Sequence, residues 1–255
     1  MTYCVGLKID RGLVFMSDTR TNAGMDSIST FKKMHVWEQP GERVIVLMSA
    51  GNLATTQAVV SLLDERNKAV SDRHGKLLET PSMYQTVRLV GDTVKEVIAH
   101  ASPDGEKADS YFNASFILGG QIKGSAPRLF MIYPEGNFIE STDDTPFFQI
   151  GETKYGKPII IRAYDRTMSL AETVKLLLVS FDSTLKSNLS VGLPLDLLFL
   201  EQDAFKVGLN RRIGQDDPYY RTISDGWSNA LKIAFSNLPD FPGWELSILP
   251  LPDHI

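Results

Sequence analysis

Hydrophobic and polar positions alternate strictly at the start of the chain. In residues 3–9 the odd-numbered positions are large and apolar and the even-numbered ones are small or polar, which predicts a β-strand. Asp10-Arg11-Gly12 predicts a tight hairpin turn into a second strand over 13–18, which is apolar on both faces and so is expected to be covered on both sides. Further strands over 31–37 and 43–49 complete a predicted first sheet.

Two helices are predicted next, because apolar residues then recur every three to four positions. Asn52 is the predicted N-cap of a helix that ends near residue 70, and a second helix covers about residues 82–101. We expect both helices to pack against the first sheet. The period returns to two between residues 115 and 150, which predicts a second set of antiparallel strands.

A capping box marks the next long helix. It is formed by Ser169-Leu170-Ala171-Glu172, and a shorter helical piece precedes it near Gly156. One more strand is predicted over 195–199. Strands, two helices, strands, two helices and a strand are the order expected of an α+β fold, a four-layer αββα sandwich in which two antiparallel sheets are flanked by helices.

The whole chain, residues 1–255, is interpreted as a single domain. Its core covers about 2–205, and a C-terminal helical and strand extension covers about 206–255. Asp217-Pro218 predicts a helix start in this extension. The extension is rich in aromatic residues such as Trp227 and Trp244, so we expect it to form an interface with another chain, with a late addition to the core as the alternative.

Composition narrows the classes of partner. A net charge of −5 gives no basic face for nucleic acid or anionic lipid, and no apolar run reaches the ~20 residues of a membrane span. One cysteine, Cys4, cannot form an internal disulfide, which favours a cytoplasmic location. His74, His100 and His254 lack metal-ligand spacing, and phosphate-binding and dinucleotide-binding loops are absent, so we expect neither metal nor cofactor.

The second residue offers candidate chemistry. Removal of Met1 in front of a small residue leaves Thr2 with both a hydroxyl and a free α-amine. An α-amine titrates near pH ~7.7 to 8.0, so a useful fraction is neutral at cell pH and can accept the hydroxyl proton without a histidine. On this dipeptide alone, the alternative is an ordinary second residue.

Residues that could support such a nucleophile lie on the following predicted strands. Asp18 ends the second strand, Lys33 lies on the third, and Gly51 ends the fourth just before a helix. Each has a structural explanation by itself, as a turn cap, a solvated lysine or a turn glycine. Their occurrence in this order after Thr2 favours a functional site. Near them, Cys4 is interpreted as a core residue and His35 as a structural histidine, with a second base as the alternative for His35.

This order resembles that of the proteasome β-type peptidases of the N-terminal nucleophile hydrolase superfamily. More specifically, the sequence is similar to the bacterial ancestral β-subunit family, Anbu, over roughly residues 2–200. The similarity is carried by TYCV at 2–5, SDTRTNAG at 17–24, FKKM at 31–34, SAGNLATT at 49–56, IGETKYGKP at 150–158 and SNLSVG at 187–192.

The resemblance implies a role for each residue. Thr2 would attack a carbonyl with its own amine as base, and Lys33 would lower the pKa of the Thr2 hydroxyl. Asp18 would orient Lys33 and keep it charged, as the third member of a triad does. The Gly51 backbone N–H would donate to the oxyanion, and glycine there would let a substrate strand approach. Lys32 is the alternative to Lys33.

The sequence departs from the pattern of the proteasome β-subunits in several places. Ser190 is assigned a supporting role, with Ser187 and Asp182 as alternatives, because the Asp-x-x-Ser element of the family is replaced. Asn22 stands where the family has a threonine that binds the substrate backbone, so it is assigned to substrate binding. Glu152 replaces a serine beside the nucleophile, and a carboxylate near the Thr2 amine would keep that amine protonated and weaken it as a base.

The functional hypothesis is a threonine peptidase or amide hydrolase that acts on a peptide or amide substrate. The resemblance implies a large assembly of identical subunits, either a closed ring or an open spiral. The alternatives are a catalytically silent or weak structural subunit and a non-proteolytic small-molecule amidase. The sequence leaves open the substrate, the removal of Met1 and the existence of an ATP-dependent partner.

Overall fold

Two five-stranded antiparallel sheets stack face to face in the computed structural model, which describes residues 1–22, 28–70, 75–101 and 112–241. The first sheet contains β1 (Tyr3–Ile9), β2 (Gly12–Asp18), β10 (Phe147–Gly151), β11 (Leu195–Glu201) and β12 (Leu209–Ile213), in the order β10-β1-β2-β11-β12. The second contains β5 (Met34–Gln39), β6 (Arg43–Gly51), β7 (Ala114–Ile122), β8 (Arg128–Ile132) and β9 (Phe138–Glu140), in chain order. A short two-stranded ribbon of β3 (Arg20–Asn22) and β4 (Ile28–Thr30) lies between β2 and β5 in the chain.

Helices cover the outer faces of both sheets. Helices α1 (Leu53–Lys68) and α2 (Met83–Ala101) pack on the second sheet, while α3 (Lys157–Ala163) and α4 (Leu170–Ser187) pack on the first. A third apolar cluster fills the space between the sheets, where side chains such as Phe15 meet others such as Ile117. The four-layer αββα arrangement predicted from the sequence is confirmed.

The predicted helix starts are also confirmed. The Asn52 side chain accepts a hydrogen bond from the backbone N–H of Thr55 at 3.1 Å and caps α1. Ser169 and Glu172 form the reciprocal capping box of α4. Both caps satisfy backbone donors that would otherwise lack partners in the first helical turn.

The predicted grouping of strands is wrong. The first four predicted strands do not share a sheet, because the β1–β2 hairpin lies in one layer and the β5–β6 hairpin in the other. Strand β2 is buried on both faces and pairs with β11, which arrives from much later in the chain. Consequently α1 and α2 pack on the second sheet rather than the first. The predicted third strand also starts later, at Met34, so Lys33 immediately precedes a strand instead of lying on it.

The C-terminal region adds a strand to the first sheet and a helix to the layer that covers it. Strand β12 pairs with β11 at the sheet edge, and α5 (Pro218–Ser236) begins at the predicted position and packs beside α4. Every described residue from 229 to 241 is exposed. Trp244 and the rest of the predicted aromatic segment lie outside the described residues.

Candidate active site

A cleft of about 520 Å³ opens beside the N-terminus, where β6 ends and α1 begins. Thr2, Lys33 and Gly51, three of the residues selected from the sequence, line it. The other lining residues are Met1, Thr21, Lys32, His35, Ser49, Ala50, Leu53, Thr56, Gln57 and Gly151. Both stacked sheets therefore contribute to one concave surface of the size typical of small-ligand and substrate sites.

Thr2 is held at the start of β1 by the strand beside it. Its carbonyl oxygen accepts a 2.7 Å hydrogen bond from the backbone N–H of Glu152, which extends the pairing of β1 with β10. Gly151 has φ +84°, and a Cβ at this position would lie 2.0 Å from the Thr2 carbonyl oxygen. Only glycine combines that backbone conformation with so close an approach, so the backbone of Thr2 is fixed by β10.

Lys33 and Asp18 form a buried ion pair next to Thr2. The Lys33 Nζ lies 2.7 Å from Asp18 Oδ1 and donates a second hydrogen bond to the Arg20 carbonyl oxygen at 2.6 Å. Asp18 also accepts from the backbone N–H of Tyr3 at 3.0 Å and of Gly192 at 3.3 Å. This network fixes the ammonium group at the cleft and ties it to the residue that follows Thr2.

Burial and charge act on the ionisable groups here. Burial raises the pKa of the Asp18 carboxyl, while the Lys33 ammonium and the two backbone donors oppose that change and favour the carboxylate. At the N-terminus, burial and the nearby Lys33 charge lower the pKa of the Met1 α-amine, against a smaller opposing effect of Asp18. An amine in this environment is more readily neutral than one in water, which is the state that a base requires.

Gly51 ends β6 with φ +118° at the rim of the cleft. A Cβ there would lie 2.1 Å from the Asn113 carbonyl oxygen. The next residue, Asn52, donates from its backbone N–H to that same oxygen at 2.8 Å and caps α1. The strand-to-helix turn that carries Gly51 is therefore rigid and requires glycine.

Glu152 and the segment after α4 form a second polar cluster beside Thr2. Glu152 is buried, and its carboxylate accepts from the Asn188 side-chain amide at 2.8 Å and from the Lys154 backbone N–H at 3.2 Å. The Asn188 Oδ1 accepts from the Ser190 backbone N–H at 2.9 Å, which forms a tight turn. Sequence analysis named Glu152 and Ser190 and missed Asn188, although Asn188 lies within the SNLSVG run.

The two alternatives to Ser190 are directed elsewhere. Asp182 is buried between α4 and α5, where it accepts from the Tyr220 hydroxyl at 3.1 Å and lies 3.0 Å from Lys186 Nζ. The exposed Ser187 donates its hydroxyl proton back to the Ser183 carbonyl oxygen at 2.8 Å within α4. Both side chains are engaged within the helical layer rather than at the cleft.

Lys32 and Lys33 are clearly distinguished by their surroundings. Lys33 is 4% exposed and ion-paired, whereas Lys32 is exposed and lines the outer part of the cleft. His35 is half-buried and also lines the cleft, and burial together with the Lys32 charge lowers the pKa of its imidazole. Asn22 ends β3 in pairing with Ile28, and its neighbour Thr21 lines the cleft.

Cys4 lies in the apolar layer between the sheets with no surface exposure. Burial raises the pKa of its thiol, so the thiolate needed for nucleophilic attack is disfavoured. Within the described ranges, no group of three or more histidine, cysteine or acidic side chains is arranged to hold a metal ion. None of the helices in those ranges combines the length and apolar character needed to cross a membrane.

Comparison with known proteins gives consistent matches. The family model for the proteasome subunit matches residues 2–193. The proteasome subunit beta of Methanocaldococcus jannaschii is 25% identical over 207 residues, which are 81% of this chain and 84% of that protein. Among solved structures, Anbu from Yersinia bercovieri is 51% identical with a TM-score of 0.88, covering 94% of this chain and 99% of that one. The helical assembly of the Anbu complex from Pseudomonas aeruginosa is 45% identical with a TM-score of 0.89, covering 95% of this chain and 99% of that one.

Proposed function

Because this chain belongs to the proteasome subunit family, we propose that it is a threonine-type peptidase or amide hydrolase whose nucleophile is Thr2 after loss of Met1. One observation carries the proposal. A buried lysine, Lys33, is ion-paired with Asp18 at 2.7 Å in the same cleft that Thr2 lines. A buried, charged ammonium group stabilises negative charge that develops on a neighbouring hydroxyl oxygen.

The reaction follows from these positions. The Thr2 hydroxyl adds to the amide carbonyl carbon, and its proton moves to the free α-amine of the same residue. The carbonyl oxygen becomes an oxyanion, for which the Gly51 backbone N–H is the proposed donor. The C–N bond then breaks, the leaving amine takes the proton, and water hydrolyses the resulting ester. Asp18 keeps Lys33 charged and oriented throughout.

Substrate would enter along the rim of the cleft. Gly51 exposes its backbone there, and Asn22 lies on the β3–β4 ribbon next to the cleft-lining Thr21. We assign both positions to binding of an extended substrate backbone. Ser190 is assigned a supporting role, because the Ser190 backbone is joined through Asn188 to Glu152, whose own N–H binds the Thr2 carbonyl oxygen.

A weak or silent subunit is the second candidate, and Glu152 favours it. The proteasome β-subunits that the sequence resembles have a serine here, whereas this chain has the buried Glu152, whose backbone N–H binds the Thr2 carbonyl oxygen. A negative charge close to the Thr2 amine stabilises the ammonium form and removes the base. In that case the subunit contributes to assembly and binding rather than turnover.

We also propose that identical copies of the chain assemble. The Anbu complex of Pseudomonas aeruginosa, 45% identical, forms a helical assembly. In this chain Phe235, in the last turn of α5, is 79% exposed, and Leu238, just after the helix, is 65% exposed. Apolar surface of this kind is typical of protein interfaces. Sedimentation of the purified protein tests the assembly directly.

The hydrolase proposal is tested in two steps on protein from its own host. Intact mass first establishes whether Met1 is removed. A threonine-directed electrophile is then expected to modify Thr2, and Thr2→Ala is expected to abolish both labelling and cleavage of peptide and small amide substrates. Thr2→Ser is the matched control, since it keeps the hydroxyl and the small residue that permits loss of Met1. A processed protein that resists labelling, or a Thr2→Ala protein with full turnover, contradicts the proposal.

A further inference from the structure

The charges around the cleft are unbalanced. Its lining includes Lys32, Lys33 and His35, and none of its described lining residues is an aspartate or glutamate. The charge of Lys33 is neutralised by its ion pair with Asp18, in which Lys33 Nζ lies 2.7 Å from Asp18 Oδ1. In the part of the chain that the structure describes, no carboxylate pairs with Lys32 in an ion pair. Among the described residues, the cleft therefore has one positive charge, that of Lys32, without an ion-pair partner.

The basic lining of the cleft contrasts with the net charge of the whole chain. The chain as a whole has a net charge of −5, so most of its surface repels acidic molecules. A smaller cavity of about 220 Å³ near the β1–β2 turn shows the more typical balance, because Lys8 and Arg166 there face Asp10 and Asp143. Arg166 lies 2.8 Å from Asp10, which cancels charge locally. Charged residues of both signs therefore line this cavity, whereas the described lining of the cleft beside Thr2 has only basic ones.

The position of Lys32 is set by its neighbours. Lys33 anchors the backbone on one side through its carbonyl oxygen, which accepts from the Ser49 N–H at 3.0 Å. On the other side, the His35 ring is hydrogen-bonded to the Lys32 backbone and stacks on Trp37 with ring centroids 6.3 Å apart. Trp37 is itself fixed by a 2.6 Å hydrogen bond to Asp64. With its backbone held in this way, Lys32 has a fixed place in the lining of the cleft.

We propose that the cleft selects substrates that carry an acidic group beside the amide to be cleaved, and that Lys32 determines this preference. A carboxylate placed in the cleft would meet the Lys32 ammonium and the polar side chains of Thr21 and Gln57, with no like charge among the lining residues to oppose it. The proposal rests on the proposed hydrolase activity for its turnover measurement and is independent of it for its binding measurement.

The turnover experiment compares two isosteric substrates, acetylated tripeptide anilides that end in glutamate or in glutamine. The wild-type protein is expected to prefer glutamate in kcat/KM by roughly two- to fivefold, the upper range of an exposed ion pair. Lys32→Met is expected to remove the preference, and Lys32→Glu to reverse it. Lys123→Glu changes the charge equally at the far end of the second sheet and is expected to leave the preference unchanged.

The binding experiment uses the Thr2→Ala protein and the same two peptides in calorimetry. The glutamate peptide is expected to bind more tightly by the same factor, and the difference is expected to shrink between about 50 and 500 mM salt because exposed charges are screened. If the Thr2→Ala protein binds the glutamate peptide more tightly but the wild-type protein cleaves neither peptide, the cleft selectivity is supported and the hydrolase is contradicted. Equal binding, binding of neither peptide, or a preference that survives Lys32→Glu overturns the selectivity.

Discussion

The Asn188 side-chain amide donates a 2.8 Å hydrogen bond to the buried Glu152 carboxylate and so joins the turn after α4 to the end of β10, beside Thr2. We predict that Asn188→Ala destabilises the protein by about 1 to 3 kcal/mol, because a buried carboxylate then loses a donor. Urea unfolding measures the change. Ser187→Ala, one position earlier and exposed, is the control and is expected to stay within about 0.5 kcal/mol. Equal costs for the two variants would show that the bond contributes nothing.

Breaking the ion pair at the cleft is predicted to be far more costly. Asp18→Asn leaves the Lys33 ammonium without its carboxylate at a buried position, and we expect a loss of about 3 to 5 kcal/mol. The double variant Asp18→Asn with Lys33→Met is expected to lose less than the sum of the single variants. Asp10→Asn, which breaks an exposed pair with Arg166, is the control at about 1 kcal/mol or less. Additive losses at Asp18 and Lys33 would contradict the coupling.

Gly151 allows a prediction that separates backbone strain from steric contact. Gly41 has a similar φ of +80° but open space around it, so Gly41→Ala is expected to cost only the strain of about 1 to 2 kcal/mol. Gly151→Ala adds a Cβ placed 2.0 Å from the Thr2 carbonyl oxygen, and we expect a larger loss together with impaired labelling of Thr2. Thermal unfolding and labelling of both variants check this. Similar losses at the two glycines would show that Thr2 can move away freely.

His35 is predicted to make the protein sensitive to acid. Burial, with the Lys32 charge, lowers the pKa of the folded imidazole below the unfolded value of about 6.5. The unfolded state therefore binds more protons as the pH falls through that value, and stability falls with it. We expect unfolding midpoints between pH 7 and pH 5 to fall less for His35→Gln than for the wild-type protein. An identical pH dependence of both proteins would exclude His35 as the source.

A stabilising substitution is predicted in α5. Gly226 lies within this helix, and a Cβ added to it meets no atom within 4 Å. Gly226→Ala reduces the conformational freedom of the unfolded chain and is expected to stabilise the protein by about 0.5 to 1 kcal/mol. A rise in the unfolding midpoint at constant protein concentration checks it, since assembly also affects that midpoint. A decrease would indicate that this face of α5 contacts another copy.

The sequence predicts local features well because local chemistry determines them. The Ser169 capping box, the Asn52 cap and the alternation of β1 all match the structure, since each depends on residues within a few positions. Strand grouping depends instead on which hairpins share a sheet. The pairing of β2 with β11 joins residues almost two hundred positions apart, and alternation in β2 does not encode it.

The candidate site could also be predicted only in part, because some of its residues are marked by their order along the chain and others only by contacts between distant positions. Thr2, Lys33 and Gly51 were found from their order, and the structure brings all three to one cleft. Asn188 was missed because its importance arises from a contact with Glu152, 36 positions away, that no local pattern reveals. Lys33 was preferred to Lys32 from its place on a predicted strand, but in the structure it precedes that strand, and burial against Asp18 is what distinguishes it from the exposed Lys32.

The hydrogen bond from the Gly192 backbone N–H to Asp18, at 3.3 Å, has a consequence for biosynthesis. The candidate site combines β1 and β2 of one layer with Lys33 and Gly51 of the other. It also includes a hydrogen-bond donor, the Gly192 backbone N–H, which lies 174 positions after Asp18. During synthesis, Thr2 emerges from the ribosome long before Gly192 is translated. Proteins of this size fold as units during and after synthesis, so the complete constellation forms only when translation is well advanced. The hydrolase activity proposed above would therefore be absent from an incompletely translated chain.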